Sequence, residues 1–322
     1  MRACYYEDIG AARDVLRVGD VPTPECGPGE VRIKLATSGV NPVDVKVRAG
    51  RKQPWPRIIP HSDGAGTIDQ VGDGVDEKRI GERVWIWNAQ WKRPFGTAAE
   101  YIVLPAAQAV TLPDKVSFAE GACLGIPAMT AFHAVELALL SGKTLLISGG
   151  AGAVGHYAIQ FAKLAGATVI TTVSSAEKAK IAKEAGADHV IDYKTENVGE
   201  RVMALTDKRG VDAVVELNIT ANAKLLPTVL RPKGSVIVYG IAGPDLSLPA
   251  PFLLSNAIGI QFFLVFELDA AERARAVSGI SAALAAGKLI NRVDPRTFGL
   301  DDTAAAHEAV EQGASAKVVV TL

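Results

Sequence analysis

The chain has 322 residues, 48% of them hydrophobic, with 34 Lys and Arg against 35 Asp and Glu and a formal net charge of −1. That length can bury a sizeable core and predicts two domains, and the balanced charge gives no electrostatic argument for nucleic acid or an anionic membrane surface. Three cysteines, Cys4, Cys26 and Cys123, are too few and too scattered for a disulfide framework or a cysteine zinc site, and fit a reducing cytoplasmic setting.

The stretch Met1–Asp8 lacks the apolar core of a signal peptide. Residues 1–120 then read as β-rich, with strand-like runs at 30–36, 64–71, 83–87 and 98–104. The turn signals Pro22-Thr23-Pro24, Gly27-Pro28-Gly29 and Gly72-Asp73-Gly74 punctuate them, which predicts a compact barrel-like domain. From 121 the pattern alternates, with strands at 144–148, 168–173, 189–191, 213–217 and 235–239 and helices at 153–165, 176–185, 197–206 and 221–230. Such alternation predicts an α/β, doubly wound parallel sheet over 121–269. The apolar run 258–268 is interrupted by Gln261 and Glu267 and falls short of the roughly 18–20 residues that span a bilayer. A helix at 270–287, another at 303–312 and a last strand at 316–322 are expected to return to the first domain, which then comprises 1–120 plus 270–322.

The most specific motif is Gly150, Ala151, Gly152, Ala153, Val154, Gly155, a G-x-G-x-x-G between the apolar run Thr144–Ile147 and a helix pattern from His156. A glycine turn there lets a pyrophosphate approach bare backbone, and the helix N-terminus supplies unpaired N–H groups and a positive dipole end. A dinucleotide with a free ribose is normally met by an acid about 20 residues later. Here that place reads Thr171-Thr172-Val173-Ser174-Ser175, followed by Glu177 and Lys178. Serine hydroxyls, a helix start capped by Ser174 with Glu177 completing a capping box, and a lysine suit a 2′-phosphate, which favours NADPH over NADH.

The whole chain resembles the zinc-free medium-chain dehydrogenase/reductase family in its quinone oxidoreductase (zeta-crystallin) branch. The matching segments are Ser38–Asp44, Pro60–Gly66, Gly81–Val84, Ala99–Tyr101, Gly125–Ala131, the glycine loop and Ala306-His307-Glu308. The resemblance implies a Rossmann NADPH-binding domain inserted in a β-rich, GroES-like catalytic domain built from both chain ends. It also implies a homodimer or homotetramer joined through an edge strand, here Ile258–Val265. By position, Ser174, Ser175, Lys178 and Tyr193 match 2′-phosphate contacts, Thr130 lies beside the nicotinamide, and Asn41 is an active-site asparagine. Asn218, Gly240, Phe263, Leu264 and Lys317 flank the cofactor. Ser62-Asp63 stands where the zinc-bearing branch has His-Glu, so the resemblance implies no metal.

Four features depart from the branch or bear on the acceptor. Lys46 replaces a tyrosine after Asn41-Pro42-Val43-Asp44, and its ammonium is a candidate for stabilising an anionic product oxygen. Trp85-Ile86-Trp87 puts two rings on one face if it is a strand, and Trp91 is the candidate for lining a substrate pocket. His61, in a loop expected to approach the substrate and with an ordinary pKa of about 6.5, is a candidate substrate-binding proton donor or a structural hydrogen-bonding group. Gly150 stands where the branch has alanine. The expected reaction is NADPH-dependent reduction of a small-molecule electron acceptor, a quinone or enone, with Asn41 and Lys46 polarising its oxygen. Two alternatives stay open. One is an enoyl-thioester reductase using the basic cluster Arg48, Arg51, Lys52 and Arg57; the other is a crystallin-type protein that binds NADPH without turnover.

Overall fold

A computed structural model describes residues 1–322, which divide into two units, Met1–Ile126 with Ile280–Leu322, and Pro127–Gly279. In the first unit, β1 (Arg2–Tyr5) and β2 (Arg17–Asp20) form an antiparallel pair. The main sheet contains β3 (Glu30–Val40), β4 (Asp63–Val71), β5 (Arg83–Ile86), β6 (Tyr101–Pro105) and β7 (Ala109–Thr111). The six strands of the second unit are β8 (Thr144–Ile147), β9 (Thr168–Val173), β10 (His189–Asp192), β11 (Val211–Glu216), β12 (Leu230–Val238) and β13 (Gly259–Phe262). The chain then supplies β14 (Phe298–Gly299) and β15 (Val318–Thr321) to the first unit, whose sheet runs β14-β15-β3-β4-β5-β7 with β6 also on β3.

β3 is the spine of that sheet. Its first half alternates, so Val31, Ile33 and Leu35 enter a core with Ile68, Val84, Ile102 and Leu104. Each such side chain contributes roughly 1.5–3 kcal/mol on burial. The β3–β4 register then shifts between Leu35 and Thr37, and Thr37 to Val40 are all buried. A strand enclosed on both faces must pair every polar side chain it carries, and the polar network described below lies at this end. β5 stops at Ile86, because the chain turns out of the sheet and Asn88 takes a positive φ of 52°. Trp85 is therefore a fully buried core residue, whereas Trp87 lies beyond the strand, so the expected two-ring face does not form.

In the second unit the sheet order β10-β9-β8-β11-β12-β13 is parallel throughout. Leu146, Ile170, Ile191, Val214, Val236 and Val238 build its core with Ile219 and Leu226 from the covering helices. β8 runs into the glycine turn and the helix Ala153–Leu164. A Cβ on Gly155 would strike the Gly149 carbonyl, so the helix start can press against the turn only through glycine. A Cβ on Gly150 would meet Thr171 Oγ1 and lie 2.8 Å from Ile159 Cδ1. That hydroxyl is fixed by donation to the Ile147 carbonyl at 2.6 Å, so the departure from alanine matches a neighbour that occupies the space. β13 is the outer strand and is shorter than 258–265, because a 3₁₀ turn begins at Val265. Phe262 and Leu264 are exposed there. No helix is long and apolar enough to cross a membrane.

Gly150→Ala should destabilise the protein by about 1–3 kcal/mol through overpacking, and Thr171→Ala in the same chain should recover part of that loss. Urea unfolding of the two single variants and the double variant measures the coupling; purely additive effects would reject this packing account.

Candidate active site

Three adjacent strands assemble a buried polar network in the first unit. Val318 pairs with Val40 and Gly39 pairs with Asp63, so the start of β15, the end of β3 and the start of β4 lie side by side. Lys317, Asn41 and Asp63 are thereby brought together from across the sequence. Lys317 Nζ donates to Asn41 Oδ1 and to Asp63 Oδ2, each at 2.6 Å. Asn41 Nδ2 donates to the same Asp63 oxygen at 2.8 Å, and the Ile126 N–H donates to Asp63 Oδ1 at 2.7 Å. All three side chains are buried. Lys317, expected to flank the cofactor, has its ammonium on the buried Asp63 carboxylate, which needs the charge. Asn41 also precedes the helix Pro42–Gly50, where Pro42 occupies the first turn and needs no donor. Asp44 Oδ2 accepts the Asn41 N–H at 2.7 Å. Burial pushes the Asp44 carboxyl up to about 7, with the nearby Asp63 charge adding to the rise and the Asn41 N–H, Lys317 and a hydrogen bond from the Asn41 side chain opposing it.

His61 sits behind this network. Its φ of 79° is left-handed, a conformation that disfavours a residue with a Cβ and that surrounding structure must hold. The ring is fully buried, with Nδ1 at 2.8 Å from Ser38 Oγ and Nε2 at 2.9 Å from His307 Nε2. Thr97 Oγ1 donates to the Asp63 carbonyl, so Ser38 must donate to Thr97 and accept from His61 Nδ1–H. His61 Nε2 then accepts from His307. Burial first, then the charges of His307 and Lys317, hold His61 well below the ordinary histidine range. Burial and Arg48 hold His307 at about 3. The proton-donor reading of His61 is therefore corrected: both nitrogens are spent inside the unit, and the ring is neutral near pH 7.

The remaining first-unit residues are more dispersed. Lys46 is exposed on the outer face of the Pro42–Gly50 helix, opposite Asp44 and Arg48. Arg48 turns inward to the Gly10 carbonyl and Glu311, and Arg57 pairs with Glu7 and covers the Tyr5 ring. The basic cluster expected to meet a thioester's phosphates thus shrinks to Arg51 and Lys52, because the other two guanidiniums are already matched by acids. Trp91 is half-buried, with Lys92 Nζ 5.6 Å from its ring centre.

The second unit gathers residues by a different device. In a parallel sheet every strand ends at the same edge, and ligands bind outside those carboxyl ends near the topological switch point. Ser148, Ser174, Tyr193, Leu217, Tyr239 and Phe263 each directly follow one of the six strands. The β10–β9 register pairs Asp192 with Val173, which sets Tyr193 beside Ser174. Lys178 Nζ donates to Ser174 Oγ at 3.1 Å, while Ser175 Oγ accepts the Lys178 N–H and caps the helix Ala176–Glu184. Ser175, not Ser174, is the cap, which leaves Ser174 facing the lysine. No acid ends β9. Gly152 precedes the Ala153–Leu164 helix with no side chain to cap it, so the first-turn N–H groups are open to an anion. A cavity of about 670 Å³ is lined by Ser148, Gly149, Thr172, Tyr193, Leu217 and Asn218.

Asn218 caps the helix Ile219–Asn222, and its N–H donates to Glu216 Oε1 at 2.5 Å. Glu216 was missed by sequence reasoning. It is 1% exposed and also accepts from Ser148 Oγ at 2.6 Å and Asn222 Nδ2 at 2.9 Å, so it ties the ends of β8 and β11 together. An acid closing the apolar run Ala213–Val215 was the available signal. Gly240 packs against the Leu217 carbonyl, where a Cβ has no room. Thr130 is buried in the first turn of the helix Met129–Leu139; Phe263 packs edge-on against His133 at 4.9 Å, and Leu264 is exposed. No three His, Cys, Asp or Glu side chains are grouped so as to hold a metal ion.

Comparison with known proteins accords with this layout. Residues 27–114 match the alcohol dehydrogenase GroES-like domain, and residues 153–280 match the zinc-binding dehydrogenase family. A quinone oxidoreductase of Pseudomonas aeruginosa is 34% identical over 236 residues, covering 72% of this chain and 71% of that protein. Among solved structures, an NAD-dependent alcohol dehydrogenase superposes with a TM-score of 0.91 at 30% identity, and a mycobacterial protein complexed with NADPH with 0.88 at 29%; both alignments cover 100% of each chain. The fold and site thus define an oxidoreductase of the medium-chain dehydrogenase/reductase family. Within that family the chain belongs to the quinone oxidoreductase branch.

The buried histidines give a signed pH dependence. Their folded pKa values are lowered, so below pH 6.5 the unfolded chain takes up protons that the native state refuses, and stability should fall with acidification until about pH 3. Asp44, raised from 3.8 to about 7, works in the opposite sense between those values. Urea midpoints between pH 7 and 5 should therefore drop less in His307→Gln and more in Asp44→Asn than in the natural chain; parallel slopes in all three would refute the assignment.

Proposed function

We propose that this protein is an NADPH-dependent reductase of quinones or other α,β-unsaturated carbonyl compounds that works without a catalytic metal. The observation that carries the cofactor reading is the Ser174, Lys178 and Tyr193 group at the ends of β9 and β10, with no carboxylate at the position that would repel a 2′-phosphate. NADPH, when bound, supplies the reducing equivalents. The glycine turn and the open first turn of the Ala153–Leu164 helix hold its pyrophosphate. Ser174, Lys178 and Tyr193 hold the 2′-phosphate, and Asn218 flanks the cavity at the end of β11.

The acceptor class rests on the quinone oxidoreductase relatives and on the chemistry of the first unit. Asn41, the residue proposed to polarise the acceptor oxygen, donates from Nδ2 to Asp63 and also meets the Asp44 carboxyl with its side chain. His61 is committed and neutral, so water supplies the final proton. The metal-free reading is supported by the lack of a ligand cluster and by the Lys317 ammonium, which already balances Asp63.

Lys178→Ala should weaken NADPH about ten- to a hundredfold, the worth of a charge-assisted hydrogen bond, and leave NADH nearly unaffected; fluorescence titration with both nucleotides checks this, and equal losses would remove the 2′-phosphate assignment. A screen of NADPH oxidation over quinones, enones, unsaturated acids and enoyl-thioesters should show turnover with the first two classes, unchanged after dialysis against a strong chelator. Activity with thioesters alone, or activity lost to the chelator and restored by zinc, would overturn the reading.

A further inference from the structure

We propose that the first unit carries a second ligand site, separate from the polar network around Asp63, for a small carboxylate with a flat apolar body, and that Arg93 binds the carboxylate. The site stands independently of the reductase reading.

A cavity of about 690 Å³ lies among the segments 21–25, 55–59, 93–96 and 101–103, within the size range of small-molecule sites. Trp55, Phe95, Tyr101, Pro24 and Pro56 give it flat, largely apolar walls. Phe95 is 58% exposed, an aromatic ring left open to solvent. None of the lining residues belongs to the Asp63 network or to the second unit. Tyr101 pairs with Lys34 and Val103 with Arg32, in the first half of β3, whereas Asn41 follows that strand's other end.

Four charged side chains line the cavity, and three are already met. Arg57 pairs with Glu7, Glu25 pairs with Arg32, and Glu30 accepts the Gly27 N–H at 2.9 Å. Arg93 differs. Its Nε donates to the Phe95 carbonyl at 3.2 Å and its Nη2 to the Val103 carbonyl at 2.7 Å, both neutral, and it makes no ion pair. Its Nη1 has no partner in the chain and is not enclosed. Burial holds the guanidinium below its ordinary pKa, and Glu30 opposes this from beyond ion-pair distance. The group stays charged near pH 7, with part of its hydration lost and no counter-ion gained. A carboxylate supplies that charge and accepts from the open end of the fork. Flat aromatic walls beside it suit a planar apolar body.

The segment that carries Arg93 is fixed in advance. The Ile59 N–H donates to the Pro94 carbonyl and the Gly96 N–H to the Ile59 carbonyl, each at 2.8 Å. A Cβ on Gly96 would strike the Pro60 and His61 carbonyls, so the two segments approach this closely only through glycine. A wall already in place costs a ligand little ordering.

Isothermal titration calorimetry of the full chain with 2-naphthoate tests the site. One molecule should bind per chain, with the same affinity in the presence and absence of excess NADPH. Arg93→Met and, separately, Phe95→Asp should each weaken binding about tenfold or more. Phe95→Asp alters only an exposed ring and sets a like charge beside the carboxylate, so it decides the matter if thermal melting shows that Arg93→Met does not fold. Arg57→Gln should change the affinity by less than about threefold, because Glu7 already balances that guanidinium. The alcohol 2-naphthalenemethanol, with the same rings and no charge, should bind the natural chain about as weakly as 2-naphthoate binds Arg93→Met. Absence of 2-naphthoate binding, unchanged affinity in folded Arg93→Met or in Phe95→Asp, displacement by NADPH, a larger loss in Arg57→Gln than in Arg93→Met, or equal affinity for the alcohol would each overturn the proposal.

Discussion

A carboxylate with no exposed surface must find donors inside the protein, and Asp63 draws them from three distant stretches of chain. Asn41 comes from the end of β3, Ile126 from the last residue of the first unit before the chain leaves it, and Lys317 from 254 residues further on. A buried ion pair adds little net stability against an apolar replacement, but removing one partner costs about 3–5 kcal/mol. The pair therefore acts as a constraint. The first unit is complete only when the returning chain lays β15 against β3 and delivers the ammonium. Asn41 is held by the same closure, accepting from Lys317 and donating to Asp63.

The second unit meets a different constraint. Six parallel strands bring six loop starts to one edge whatever their separation in sequence, and short polar side chains at those starts become neighbours. Buried Glu216 ties two of the loops, satisfying the Ser148 hydroxyl, the Asn218 N–H and the Asn222 amide. The glycine turn is then held by what surrounds it. Thr171 fills the space beside Gly150, and the Gly149 carbonyl blocks any side chain at Gly155. A rigid edge with open N–H groups, a serine and lysine pair and no carboxylate at the end of β9 is suited to a phosphate-rich nucleotide.

The contrast between His61 and Lys178 shows how far local reading carries. Lys178 is four residues from Ser174, and their contact follows from a strand end feeding a helix start. For His61 the sequence leaves a proton donor and a structural hydrogen-bonding group both open, because its partner His307 lies 246 residues away. The same distance effect hides the partners of Lys317 and Arg48, Asp63 and Glu311, which are 254 and 263 residues distant. Ser174 and Ser175 are a finer case: both are sound capping residues, and the backbone turn at the end of β9 chose the second.

Alternation of apolar runs, glycine spacing and capping residues thus determined the two architectures, the parallel sheet, the glycine turn and the meeting of Ser174 with Lys178, because those signals act within one turn or one strand. They left open which charged groups are spent internally and which remain for a ligand. That choice depends on strand register and burial across the whole chain: β15 beside β3 and β4 set Lys317 on Asp63 and Asn41, and His61 closed against His307.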